Sequence, residues 1–222
     1  MIKFEYMKCK AVIFDLDGTL LDTLQDIADS VNEALKHLDF PRHELEAFKK
    51  FIGEGRDVLA ARALPGDSCD PTTVKRLVEL INSEYSERWA NKTILYDGIS
   101  DLLDELTAMS IKMAVLSNKA HDFTELMVSE LLSQWHFEAV VGVSQSVLRK
   151  PDPTAALQIA QQLVLQPNEF LYLGDSDIDM RTAIGAGMYP VGVSWGFRSA
   201  EELLSSGAEV LIEYPTDLLA LV

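Results

Sequence analysis

The chain has 222 residues, 48% of them hydrophobic and 24% charged, which excludes a disordered tail protein and leaves room for one sizeable core with a small companion. A formal net charge of −16 argues against nucleic acid and against an anionic membrane surface as partners. Cys9 and Cys69 are the only cysteines and have no CxxC partner, so a reducing compartment fits better than a disulfide framework.

The opening MIKFEYMKCK has no long apolar stretch of the secretory-leader kind, and no apolar run elsewhere reaches membrane-spanning length. A cytoplasmic location without membrane contact is expected. The first predicted strand, KAVIFD (10–15), ends abruptly in Asp15 and Asp17, and Gly18 follows at once. Uncompensated carboxylates at the end of a buried strand are expensive to desolvate, so these two need a partner.

Strand signals vanish between residues 22 and 92. Leu24, Ile27, Ala28, Val31, Leu35 and Leu38 form one helical stripe. Val74, Leu77, Val78, Ile81, Tyr85 and Trp89 form another, entered by Asp70–Pro71. Asp22 or Thr23 is placed to cap the first of these helices. The pattern predicts a helical cap domain over 22–92, inserted into a core made of 1–21 and 93–222, with the return connection near 91–98. Within the insert, FIGEGRDVLAARAL (51–64) places Gly53 and Gly55 before a helix and Arg56 at its start. It reads either as an ordinary turn or as a substrate loop, in which Arg56 reaches a carboxylate or phosphate. His37, His43, His121 and His136 are scattered with no metal-ligand spacing and read as structural or surface residues.

From residue 98 onward helices and strands alternate. Ile99, Leu102, Leu103, Leu106 and Met109 share one face of a helix at 99–109, and Pro153 opens another over 153–164. Strands are predicted at 111–117, 138–143, 170–175 and 189–195. This alternation predicts an α/β fold: a Rossmann-like parallel sheet in three α/β/α layers, carrying the inserted helical cap.

Ligands of such sheets sit at the carboxyl ends of the strands. Asp15, Asp17, Ser117, Asn118 and Asp175 fall there, and Lys150 follows by a short loop. Converging carboxylates raise one another's pKa unless a cation joins them. Oxygen ligands without histidine or thiolate point to Mg²⁺, which leaves the lysine, serine and amide for an anion. A hard cation, an anion cradle and a free aspartate together imply phosphoryl transfer.

At these residues the chain resembles a known family. DLDGTLLDT matches the DxDGTxxD/ST motif of the haloacid dehalogenase-like phosphohydrolase superfamily, and LSN (116–118), RKPDP (149–153) and GDSDIDM (174–180) resemble its second, third and fourth motifs, in order. The resemblance spans nearly the whole chain, and the helical insert matches the family's cap. It implies that Asp15 is the nucleophile and Asp17 the general acid, then the general base. Ser117 and the Asn118 backbone would hold phosphate oxygens, and Lys150 would neutralise nucleophile and phosphate. Asp175 would bind Mg²⁺ with Asp15 and the Asp17 carbonyl, while Asp179 would hold a metal water or orient Lys150. The matching pattern is GDxxxD, which leaves Asp177 as a solvated or helix-start residue.

The arrangement around Gly53 and Gly55 is similar to that of phosphoglycolate phosphatases in this superfamily, with Arg56 reading the substrate. Thr19, counted with the substrate-binding residues, resembles the phosphatases more than the β-phosphoglucomutase-like phosphomutases, which more often carry valine or isoleucine there. The phosphomutase and a pyrophosphatase are the enzyme alternatives, although the cap has GxG where a pyrophosphatase would have Gly-Leu-Pro. Asp17 supplies an acid/base group that dehalogenases lack. A non-catalytic phosphate-binding protein would lack one of the aspartates, and none is missing. The expected partner is a small phosphorylated metabolite, and the expected state a monomer, with a dimer as the alternative.

Overall fold

A computed structural model describes residues 9–222. Residues 1–8, which the expected core range and the leader reading take in, lie outside the described residues. In chain order the strands are β1 (Ala11–Phe14), β2 (Leu21–Asp22), β3 (Ile94–Leu95), β4 (Lys112–Ala120), β5 (Ala139–Val143), β6 (Phe170–Gly174), β7 (Tyr189–Val193) and β8 (Val210–Ile212). The α-helices are α1 (Leu24–Lys36), α2 (Leu45–Phe51), α3 (Arg56–Ala63), α4 (Pro71–Arg88), α5 (Ile99–Ala108), α6 (His121–Leu131), α7 (Thr154–Leu163), α8 (Asp177–Ala186) and α9 (Ala200–Ser205).

Six strands form one parallel sheet in the order β5-β4-β1-β6-β7-β8. β1 sits inside it, with Val12 opposite Met113 on one side and Leu171 on the other. Its side chains alternate between two helical layers, as the pleat requires. Val12 and Phe14 pack with Leu102, Leu106 and Met127 of α5 and α6, while Ala11 and Ile13 pack with Ala156, Ile159 and Ala183 of α7 and α8. All four β1 side chains are fully buried, and each large one contributes roughly 1.5–3 kcal/mol. Burial on both faces explains why this strand reads as a continuous apolar run.

The α1–α4 helices share a separate apolar cluster that includes Ile27, Val31, Phe48, Leu59 and Ile81. Asp70 caps α4 by accepting hydrogen bonds from the Thr72 and Thr73 amides (2.9 and 3.1 Å), with Pro71 in the first turn. Thr23 occupies the N-cap of α1 but makes no side-chain cap bond, and Asp22 Oδ1 instead accepts from the Leu24 amide (3.3 Å). β2 and β3 pair antiparallel as a two-residue ribbon where the chain leaves and re-enters the core. Asp26, fully buried on α1, ties the same junction: its Oδ2 accepts from the Lys92 amide, the Thr93 amide and the Thr93 hydroxyl (2.8–2.9 Å).

Most strand and helix ends shift by a residue or two from expectation, and three differences have a clear cause. β4 continues past Ser117 to Ala120, because Ala120 pairs again with Val143 after a register shift. Helix α7 begins at Thr154, with Pro153 at its N-cap rather than in its first turn. Met109 is 46% exposed, since α5 has ended and turned the side chain off the apolar face.

Candidate active site

The rim above β1, β4 and β6 gathers the acidic residues. Asp15 follows β1 directly, and its amide still bonds the Leu173 carbonyl (2.9 Å), so the ladder holds its backbone in place. Gly18 makes the turn beyond it at φ +87°, and a Cβ there would meet Asp175 Oδ2 at 2.3 Å. Only glycine allows both the left-handed backbone and the approach of that carboxylate. At the end of β6, a Cβ on Gly174 would lie 2.3 Å from Cβ of Asp179, so the missing side chain is what admits Asp179 to the site.

Asp15, Asp175 and Asp179 each bring a carboxylate oxygen within 4.8 Å of the others, and all three are buried. Lys150 joins them, with Nζ 2.8 Å from Asp15 and 2.7 Å from Asp179 Oδ1. Asp179 Oδ2 accepts from the Ser176 amide (3.1 Å) and hydroxyl (2.6 Å), the capping box of α8. With both oxygens so occupied, Asp179 serves chiefly to orient Lys150. Asp175 Oδ2 takes the Phe197 amide (2.7 Å).

Burial pushes Asp15 up to about 7; Lys150 opposes the shift, and the charges of Asp179 and Asp17 add to it. Asp175 is held well above the usual carboxylate range by burial, then by Asp179 and Asp15. Lys150 stays cationic: burial works against its charge, but Asp15 and Asp179 more than offset it. One ammonium does not balance three buried carboxylates. A second cation fits this oxygen-only cluster, and Mg²⁺ suits its chemistry.

Asp17 stands apart from the cluster. Its carboxylate receives Lys119 Nζ on both oxygens (2.9 and 3.0 Å). Ser117 is buried at the end of the regular β4 ladder, where its Oγ accepts from the Lys119 amide (3.2 Å). Asn118 binds across the domains: Nδ2 donates to the Gly53 carbonyl (2.9 Å) and the Lys150 carbonyl (3.0 Å), and Oδ1 accepts from the Lys150 amide (2.8 Å). The Asn118 side chain therefore places Lys150 and holds the cap loop.

A cavity between cap and core joins these residues. The core lines it with Asp15, Asp17, Ser117, Asn118, Lys119 and Asp175, and the cap lines it with Gly53, Gly55, Arg56 and several apolar side chains. Arg56 Nη1 donates to Asn82 Oδ1 (2.6 Å), a neutral partner. Thr19 is not brought to this cavity. It is fully buried under the turn, where its carbonyl accepts from Trp195 Nε1 (3.0 Å). Asp177 begins α8 and pairs with Arg181 (3.5 Å).

Sequence reasoning missed Lys119, Arg149 and Arg198. Arg198 donates to the Lys49 and Ile52 carbonyls of the cap (2.8 Å to Ile52), and Arg149 pairs with Asp57 (2.5 Å). Lys119 had a signal, since it directly follows Ser117–Asn118 on an extended strand. The cap partners of the two arginines could not be read, because they lie 92 to 149 residues away, although Arg149 opens the RKPDP stretch.

The family model described as haloacid dehalogenase-like hydrolase matches residues 12–193. The chain is 33% identical over 208 residues to phosphoglycolate phosphatase of Nitrosospira multiformis, covering 91% of each chain. It is 31% identical over 217 residues to the Pseudomonas putida protein of the same name, covering 96% of this chain and 78% of that one. Among solved structures, a predicted phosphoglycolate phosphatase from Haemophilus somnus superposes with TM-score 0.86 at 27% identity, covering 96% of this chain and 97% of that one.

Proposed function

The chain belongs to the haloacid dehalogenase-like hydrolases, and from that membership we propose that it is a Mg²⁺-dependent phosphatase of small phosphorylated metabolites, phosphoglycolate among them. The observation that carries the reading is the buried Asp15–Lys150–Asp179 chain beside Asp175 at the floor of a cap-covered cavity.

In this reading Asp15 attacks phosphorus with a carboxylate oxygen, and the ester P–O bond breaks. The bonding pair leaves with the alcohol oxygen, which takes a proton from Asp17. Asp17 then removes a proton from the water that attacks the aspartyl-phosphate, which returns Asp15 to its carboxylate form. Lys150 neutralises nucleophile and phosphate, and Ser117 with the Asn118 amide cradles the phosphate oxygens. Asp15, Asp175 and the Asp17 carbonyl would hold Mg²⁺, with Asp179 behind them. When bound, the ion supplies the positive charge that lets a phosphate dianion approach three carboxylates.

The cap, taken as residues 22–92 on a core of the remaining chain, covers the site and suits small substrates rather than polymers. Gly53 and Gly55 shape its loop, and Arg56 offers a guanidinium to a substrate anion. Two free cysteines fit a cytoplasmic location, and among the described residues no helix is long and apolar enough to cross a membrane.

The test is a panel of phosphorylated metabolites incubated with purified protein, with Mg²⁺ and with chelator. Hydrolysis that requires Mg²⁺ and favours small phosphorylated acids is expected. Full turnover in chelator would overturn the metal assignment, and a preference for hexose phosphates would overturn the substrate class.

A further inference from the structure

Lys119 has no task in the mechanism above, yet its ammonium is fully engaged in the site. Its side chain is 9% exposed, and its ammonium lies between both Asp17 oxygens and the Tyr85 ring of the cap, 4.8 Å from the ring centroid. A pair of this kind hinders the proposed chemistry. An acid that must hand a proton to the ester oxygen needs a free carboxylate oxygen, and here the ammonium occupies both.

Something in the complex must therefore draw the ammonium off Asp17. The transferred phosphate already has a cation of its own in this reading, Lys150, 2.8 Å from Asp15. The candidate is a second anionic group on the leaving group, next to the ester oxygen that Asp17 serves. The walls there favour this over a polyol. Ile27, Ile81, Tyr85 and Phe123 line the same cavity as Lys119, with Tyr85 against the ammonium itself, and give that cavity a mostly apolar wall. Their low polarity strengthens the attraction between an ammonium and a carboxylate.

We propose that Lys119 is a specificity-determining residue, which leaves Asp17 to bind a substrate carboxylate one carbon from the phosphoester oxygen and thereby frees Asp17 for proton transfer. The proposal rests on the phosphatase reading and deepens it, because it assigns recognition of the substrate carboxylate, and release of the acid, to Lys119. Arg56 approaches the same cavity from the cap, so the carboxylate would lie between a core ammonium and a cap guanidinium. Cap contact and release of the acid would then depend on one substrate group.

The experiment compares kcat/KM for 2-phosphoglycolate and for its neutral amide, 2-phosphoglycolamide, in wild type, Lys119→Met and Lys119→Arg. Met preserves much of the side-chain volume, and Arg preserves the charge. The carboxylate-to-amide ratio is expected to fall roughly 10- to 150-fold in Lys119→Met, the scale of one charge-assisted hydrogen bond, and to be largely kept in Lys119→Arg. If the Met variant does not fold, Lys119→Gln carries the same comparison. Equal losses on both substrates would leave Lys119 as mere support for Asp17 and overturn the proposal. A wild-type ratio near one, with Mg²⁺-dependent hydrolysis intact, would overturn the carboxylate reading while leaving the phosphatase standing. Absence of hydrolysis of either ester, and of any in the metabolite panel, would overturn both.

Discussion

The core rim and the cap meet at one cavity but are held together by different physics. On the rim, Asp15, Asp175, Asp179 and Lys150 are buried charges whose geometry is fixed by strand ends, a helix cap and two glycines that admit the neighbouring carboxylates. Such a cluster is costly to assemble and intolerant of partial removal, because each lost partner leaves another charge buried alone. The cap is an apolar bundle tied to the core by bonds that mostly end on backbone carbonyls: Asn118 to Gly53, Arg198 to Lys49 and Ile52, Arg149 to Glu54. Carbonyl contacts survive changes of the residue that supplies them. The rim can therefore hold one chemistry constant while the cap surface changes what is admitted.

The sharpest way to break this division is at the nucleophile. Asp15→Asn should lower turnover roughly 10⁴-fold or more and abolish the phosphoenzyme, measured by acid-quench trapping of labelled phosphate. Asp17→Asn should lose roughly 10²- to 10⁴-fold on alkyl phosphates and much less on an activated aryl phosphate, whose leaving group hardly needs a proton. Equal losses on both ester types would remove Asp17 from the first half-reaction.

A second test concerns the charge imbalance of the rim. Burial raises Asp15 to about 7, so the folded, metal-free protein keeps a proton that the unfolded chain releases near pH 4 (about 3.9 for a free aspartate). The stability that this protonated group confers is present at low pH and is lost as pH rises through about 7. Mg²⁺ binds the deprotonated site, so the Tm gain on adding it should be larger at about pH 8 than at about pH 5. At a hundredfold excess over Kd the gain should reach roughly 5–10 °C, read by thermal melts. A gain independent of pH would mean that the ion binds elsewhere.

The smallest expected effect lies in the cap. Arg56 is half-buried and bonded to neutral Asn82, so Arg56→Ala should cost about tenfold in kcat/KM on 2-phosphoglycolate, the lower end for a charge-assisted bond. A small aryl phosphate without a carboxylate should be much less affected. Equal losses on the two would assign Arg56 to cap closure and blur the contrast between the regions.

Much of the rim was legible in advance. Apolar runs that end in Asp15 and Asp175 reveal strand ends, and a parallel sheet brings such ends to one edge whatever lies between them. The GDxxxD spacing likewise places Asp179 one turn into α8, since three residues after an N-cap serine is the position that returns to cap it. Less of the cap could be read. Its stripes identify two of the helices and the Gly53–Gly55 turn announces α3, but α2 has seven residues, too few for a periodic signal. The β2–β3 ribbon is two residues long on each side and leaves no pattern.

Thr19 marks the limit of motif reasoning. The motif resemblance counts it with the substrate-binding residues, whereas the turn buries it fully, with its carbonyl accepting from Trp195. The sequence by itself determined which residues can do the chemistry, because strand ends and caps are local and their periodicity is written in neighbouring residues. Only the tertiary structure decided how the charges are shared: that Lys150 bridges Asp15 and Asp179, and that Lys119 rests on Asp17 under Tyr85. Pairing at distances near 3 Å depends on packing between segments 29 to 135 residues apart, and no local pattern encodes which of several lysines is drawn to which carboxylate.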